Sequence, residues 1–299
     1  MRIGDISATD LPVQLRSGRV AFTIGRFNVS IRSALPGVAA QVGKLYADYQ
    51  LNEPDELIDF AVELAVPSLL RRWLRPQVRF LFDGRSPFKP LPQVQAFAMF
   101  EWGLNWCIAN HAHEFLVVHA AVVERNGRAF IFPGMPGSGK STLCAALVCR
   151  GWRLLSDEMA LISLQDGMVH PVPRPVSLKN ASIEVIRKFE PAAVFGAVVE
   201  DTAKGKIAHM KAPATSVMTA GQVAEPSRVV FPRYRVDAAP DLRRLERGTC
   251  LMQMAENSFN YDVLGSAGFE ALADTVERCD CYALSYARLE DAISLMESL

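Results

Sequence analysis

Residues 128–164, RAFIFPGMPGSGKSTLCAALVCRGWRLLSDEMALISL, restrict this chain more than any other stretch. Inside it, Gly134-Met135-Pro136-Gly137-Ser138-Gly139-Lys140-Ser141-Thr142 fulfils the G-x-x-x-x-G-K-[ST] pattern of a phosphate-binding loop. The flanks suit the motif. Ala129–Phe132 is an apolar run of strand type, and Leu143, Leu147 and Arg150 follow at helical spacing. Glycines at 134, 137 and 139 let the backbone turn with positive φ and come close to a phosphate. Successive N–H groups and the helix N-terminus form an anion cradle. Lys140 adds a mobile charge for the outer phosphates, and the Ser141 hydroxyl can meet a magnesium ion. The motif therefore calls for ATP and Mg2+. The bland alternative is a glycine-rich turn that binds nothing.

Beyond the helix, Gly151 suits a C-cap, and Trp152–Leu155 reads as a second strand beside the first. Asp157 and Glu158 then fall at its carboxyl end, where ligands bind in open α/β sheets. There they can hold a metal or take a proton from an attacking hydroxyl. An isolated Asp-Glu is otherwise a solvated acidic turn.

Upstream, Phe115–Val123 reads as one strand carrying His119, followed by a hairpin closed at Asn126-Gly127. This order, histidine strand, hairpin, phosphate loop, helix and then Gly151-Trp152-Arg153-Leu154-Leu155-Ser156-Asp157-Glu158, resembles the HPr kinase/phosphorylase family over about 50 residues. The segments Pro173–Asn180 and Phe231–Tyr234 look more like its subgroup of HPr-kinase-related kinases. The resemblance implies an α/β fold: a P-loop kinase core of the HPr kinase/phosphoenolpyruvate carboxykinase type, a mixed sheet with flanking helices, over residues 91–299. It further implies that Asp157 deprotonates an acceptor hydroxyl, that Ser141 meets the magnesium, and that His119 sits beside the transferred phosphate. The family carries a second aspartate where this chain has Glu158.

Other stretches extend the reading. Residues 1–90 form a smaller α+β domain, with strands at Val20–Ile24, Val29–Ile31, Leu57–Val66 and Gln77–Phe82, and a linker over Pro87–Pro92. Gln93–Ala112 is helical, with Val94, Phe97, Phe100, Leu104 and Ile108 on one stripe. His111 and His113 fall in an exposed turn. Arg174 and Lys179 suggest a wall of the site, and Asp201–Lys206 a basic turn that is either near the phosphates or simply solvated. Arg233, at a strand end, either neutralises charge on a transferring phosphate or forms a structural ion pair. Helices are expected at Asp241–Glu256, Gly268–Arg278 and Leu289–Leu299, and a strand at Cys281–Tyr286.

Composition excludes some classes. Lys plus Arg and Asp plus Glu are both 32, so bulk charge gives no nucleic-acid footprint. No apolar run of about 18 residues suggests a membrane span, and the N-terminus lacks a signal core. Six cysteines without a paired C-x-x-C pattern fit reduced thiols in a cytoplasm rather than zinc. The expectation is a cytoplasmic ATP-dependent kinase whose acceptor is a Ser/Thr of a peptide or small protein, or a small-molecule alcohol. A nucleotide-gated regulatory ATPase module and a carboxykinase-like enzyme remain the alternatives, and a homo-oligomer is left open.

Overall fold

The computed structural model describes residues 1–53, 55–67 and 75–299. It is a mixed α/β structure of four sheets flanked by helices. After a 3-10 turn at Ile3–Asp5 come helix α1 (Asp10–Ser17), then β1 (Val20–Ile24) and β2 (Phe27–Ser33), which alternate buried and more exposed residues as a one-sided sheet requires. Helix α2 (Pro36–Leu45) carries Pro36 in its first turn and crosses over to β3 (Phe60–Ala65), parallel to β2. Strands β4 (Gln77–Phe82) and β5 (Leu91–Pro92) complete a five-stranded sheet in the order β1-β2-β3-β4-β5. The end of the expected linker is thus its edge strand.

Helix α3 (Ala96–His111) packs onto this sheet so closely that a Cβ on Gly103 would lie 2.1 Å from the Phe80 ring. Phe97, Phe100, Leu104 and Ile108 are buried in the N-terminal core, whereas Val94 lies in the preceding 3-10 turn and is exposed. That core also takes in Phe115, Val117, Leu161 and Val172, so the division of packing does not fall at residue 90.

After α3 the chain forms β6 (Phe115–Val118) and β7 (Ala120–Arg125), with His119 at the break between them. The single strand expected over Phe115–Val123 is therefore two strands in different sheets: β6 pairs in one, β7 in another. The Asn126-Gly127 turn, both residues at positive φ, joins β7 to β8 (Arg128–Pro133) as a two-residue hairpin. The phosphate-loop motif leads into α4 (Lys140–Cys149), and β9 (Arg153–Ser156) follows. Strands β10 (Ala160–Ser163) and β11 (Val169–His170) form an antiparallel sheet with β6.

Next come β12 (Val176–Lys179), α5 (Ala181–Phe189), β13 (Val199–Thr202) and β14 (Gly205–Met210). The three strands make a third sheet, β12-β14-β13. Short α6 (Ala214–Met218) leads to β15 (Glu225–Tyr234) and β16 (Asp241–Arg244). The expected helix at Asp241 starts only at Arg247, because the preceding residues pair with the open edge of a later strand instead. Arg244 is anchored there by an ion pair to Asp280. Helices α7 (Arg247–Glu256), α8 (Tyr261–Leu264) and α9 (Ser266–Arg278) then precede β17 (Asp280–Tyr286) and α10 (Leu289–Glu297).

The fourth sheet runs β16-β17-β15-β8-β7-β9 and sets the site. Strands β17, β15 and β8 are mutually parallel, and β7 is antiparallel to both β8 and β9. Strand β9 therefore points the same way as β8 but is not its neighbour, as the sequence suggested; β7 lies between. The carboxyl ends of β8, β9, β15 and β17, together with the start of β7, meet at one edge.

Candidate functional site

That edge opens on a cleft of about 960 Å³, lined by residues from each of those strand ends and by α5. This is the upper end of the range usual for ligand sites. The loop after β8 forms its floor. Gly134, Gly137 and Gly139 have φ of 148°, 86° and 100°. Gly139 is the most constrained, since a Cβ there would meet the Tyr286 hydroxyl at 2.6 Å. Tyr286 donates to the Gly139 carbonyl (3.3 Å), and the Tyr234 N–H donates to the Ser138 carbonyl (3.0 Å), so the ends of β17 and β15 fasten the loop.

No side chain caps α4, which leaves its first N–H groups facing the loop. Lys140 Nζ donates to the carbonyls of Gly134 (2.5 Å) and Met135 (3.2 Å). Burial, the largest cause, lowers its pKa, against the opposing pull of Glu158 and Asp157.

Asp157 follows β9 and is buried. Its Oδ2 accepts from the Ser177 N–H of β12 at 2.9 Å, whereas its buried Oδ1 has no partner among the described residues. Burial and then the neighbouring Glu158 charge push its pKa well up, only partly opposed by the Ser177 N–H, Lys179 and the Ser141 hydroxyl, which lies close to the carboxylate without completing a hydrogen bond to Oδ1. Glu158 goes the other way. Burial would raise it, but Lys179, His119, Lys204 and Arg174 together hold it below the usual carboxylate range. Lys179 is the nearest cation, 3.6 Å from Oε1.

His119 Nδ1 donates to the Glu158 carbonyl (3.1 Å), which fixes the ring's tautomer when neutral. Burial and then Lys140 lower its pKa, so the 3.9 Å approach of Nδ1 to Glu158 Oε2 is not an ion pair at neutral pH. The Asn257–Tyr261 segment sets this ring in place. Asn260 clamps β6 from both sides, accepting from the Val117 N–H (2.9 Å) and donating to the Phe115 carbonyl (2.8 Å). The His119 N–H donates to the Asn257 carbonyl (2.6 Å), and Phe259 meets the imidazole edge-on at 5.4 Å.

The cleft brings together His119, Pro136, Gly137, Gly139, Lys140, Ser141, Thr142, Asp157 and Glu158. Gly134 and Ser138 support the loop from behind, the latter with a buried hydroxyl lacking a partner among the described residues. Arg233 does not face the cleft. Successive strand residues point to opposite sides, so its neighbour Tyr234 lines the cleft while Arg233 is exposed elsewhere.

Arg174, expected as a wall, is instead buried in a pair with Glu101 of α3 (3.2 Å), and the Tyr46 hydroxyl donates to that carboxylate at 2.6 Å. This group borders a small polar cavity beneath Asp157 that Ser177 and His209 share. Lys179 and Lys204 do line the cleft, whereas Lys206 pairs at the surface with Glu200. Sequence reasoning missed Tyr286 and Arg288; their only signal was a position at, or two residues beyond, the end of a strand that turns out to be parallel to β15.

Among the described residues, no group of three or more His, Cys, Asp or Glu is arranged to hold a metal, and no helix is long and apolar enough to cross a membrane. Residues 93–232, from the turn before α3 to β15, match a protein family described as SynChlorMet cassette protein ScmC. No curated protein matches the chain. Both carboxylates, His119 and the whole phosphate-loop motif fall within the stretch that is similar to ScmC.

Proposed function

We propose that this chain is an ATP-dependent kinase that transfers the γ-phosphate to an acceptor hydroxyl, on a P-loop kinase core of the HPr kinase/phosphoenolpyruvate carboxykinase type. The observation that carries the reading is Asp157: a buried carboxylate with raised basicity and an unpartnered oxygen, in the same cleft as a glycine loop, its lysine and an uncapped helix start. Two adjacent carboxylates whose environments push their pKa values apart are what a general base beside a permanent charge requires.

The residues also fit a magnesium ion. Ser141, Asp157 and Glu158 share the cleft, and Asp157 Oδ1 lacks a partner among the described residues. These three would hold it, with phosphate oxygens and water completing the shell, as is usual for this cation. Bound there, it would neutralise charge on the transferring phosphate.

The chain's own part is positioning and proton transfer. Backbone N–H groups of residues 137–142 cradle the triphosphate. Lys140 exchanges its bonds to the loop carbonyls for bonds to phosphate oxygens. The Asp157 carboxylate takes the acceptor's proton as the acceptor oxygen attacks the γ-phosphorus in line; the bond to the β-phosphate oxygen breaks and ADP leaves, while the Ser177 N–H keeps the carboxylate aimed. Neutral His119 sits at the same edge without adding positive charge. The acceptor is a Ser/Thr of a peptide or small protein, or a small-molecule alcohol.

Incubation of the purified chain with γ-labelled ATP, magnesium and candidate hydroxyl acceptors tests the reading. Label on an acceptor hydroxyl upholds it. Release of free phosphate alone, unaffected by every acceptor, favours a regulatory ATPase instead.

A further inference from the structure

One wall of the cleft is built by β12 and the β13–β14 turn, and it carries two lysines outside the phosphate-loop motif. Lys179 ends β12, and Lys204 sits in the turn; both line the cleft. The carboxylate that both feel is Glu158, already paired with Lys179. Glu200, on the same hairpin, is taken by Lys206 at 2.6 Å. Of this wall's charged groups, Lys179 and Lys204 line the cleft, whereas Glu200, Asp201 and Lys206 of the hairpin do not.

The turn is also fastened rather than merely exposed. Thr202 is buried; its hydroxyl donates to the Gly205 carbonyl (2.6 Å) and accepts from the Lys204 N–H (3.1 Å). Asn180 holds a φ of 53° and ψ of −126°, a conformation a non-glycine residue seldom adopts. Its side chain accepts from the Lys206 N–H (3.1 Å) and donates to the Lys204 carbonyl (3.4 Å). A Cβ on Gly205 would lie 2.2 Å from Asn180 Oδ1, so the two segments are in full contact. Backbone strain of this kind persists where surrounding structure enforces it, and it gathers at ligand clamps. Burial and then the Lys179 charge lower the Lys204 pKa, opposed by Glu158. An anion placed between the two ammonium groups would relieve that repulsion.

We infer that this wall is the acceptor side of the cleft, and that the acceptor carries an anionic group, a carboxylate or a phosphate, close to the hydroxyl that is phosphorylated. The inference rests on the kinase reading and narrows its substrate class. Glu158 separates the wall from the general base, so an acceptor gripped by Lys204 and Lys179 turns its hydroxyl toward Asp157.

The test uses the whole chain saturated with magnesium and AMP-PNP, so that the glycine loop is already filled. Inorganic phosphate, acetate and, as a neutral control, glycerol are titrated in and the heat of binding is read. Saturable binding of phosphate or acetate but not glycerol is expected, and whichever anion binds more tightly identifies the group. Lys204→Met should weaken it at least tenfold, Lys204→Arg should restore most of it, and AMP-PNP affinity should stay within twofold. The absence of saturable anion binding to the loaded chain overturns the inference. So does retained binding in Lys204→Met, or an equal loss of AMP-PNP affinity, which would give Lys204 to the nucleotide. Failure of AMP-PNP to bind the native chain would strike the kinase reading instead. Phosphate binding to that chain that is lost in Lys204→Met would still uphold the anion wall, and its persistence would sink it.

Discussion

Asp157 shows how a side chain's chemistry comes from its surroundings. Its folded pKa is pushed above the ordinary carboxylate value, to about 7, by burial and by Glu158. The folded chain therefore binds this proton more tightly than the unfolded chain does. The resulting stabilisation is full below the unfolded pKa and is lost as pH rises toward 7. Above that window the buried charge is a liability. Asp157→Asn should therefore melt higher than the native chain at pH 8 and show a smaller difference at pH 5, as thermal unfolding would record.

Gly139 gives a second expectation at this scale. Alanine there meets both a positive φ and the Tyr286 hydroxyl, so Gly139→Ala should cost about 1–2 kcal/mol from the backbone alone. It should also weaken AMP-PNP binding at least tenfold in a titration.

At the level of elements, the site is an edge where strand ends converge, and this limits how much of it the sequence could reveal. The glycine-rich loop, the strand before it and the helix after it were legible because glycine spacing and apolar runs are local signals. Asp157 and Glu158 were legible as a strand end, yet the placement of β7 between their strand and the loop's was not, since pairing order is a long-range property. Two strands were read as one across His119 because both halves are apolar and buried; only their partners differ. Tyr234 was passed over for Arg233 because sequence alone does not tell which face of β15 looks into the cleft.

The Asn257–Tyr261 segment illustrates the same limit, since its work is to pin β6 and position His119. Removing the Asn260 amide leaves the buried Val117 N–H and Phe115 carbonyl without partners. Asn260→Ala should therefore lower stability by about 2–4 kcal/mol, read by chemical denaturation. Loss of phosphate transfer beyond what unfolding accounts for would mark the displacement of His119.

Across the whole molecule, the first sheet and the cleft are joined by buried polar groups rather than by a loose linker. Glu101 on α3 receives Tyr46, the residue just after α2, and Arg174 from the segment before β12. The Tyr49 hydroxyl reaches the Pro173 carbonyl (2.7 Å), and Gly25 in the β1–β2 turn lies so near Pro171 that a Cβ would come within 2.1 Å of its carbonyl oxygen. Removal of one member of a buried ion pair strands the other, at a cost of about 3–5 kcal/mol. Arg174→Met should accordingly destabilise the chain strongly, and Glu101→Gln added to it should recover part of the loss. If both parts share this core, unfolding followed by Trp fluorescence and by circular dichroism should coincide in one transition.

The central claim is that a triphosphate lying on the 134–142 loop presents its γ-phosphate to an acceptor whose proton leaves to Asp157. The most direct measurement compares native and Asp157→Asn chains under single-turnover conditions with γ-labelled ATP, alongside AMP-PNP affinity by titration. Phosphate transfer should fall by at least a hundredfold while AMP-PNP affinity stays within threefold. Transfer that survives the substitution, or a chain that binds no nucleotide with Asp157 intact, would contradict the account.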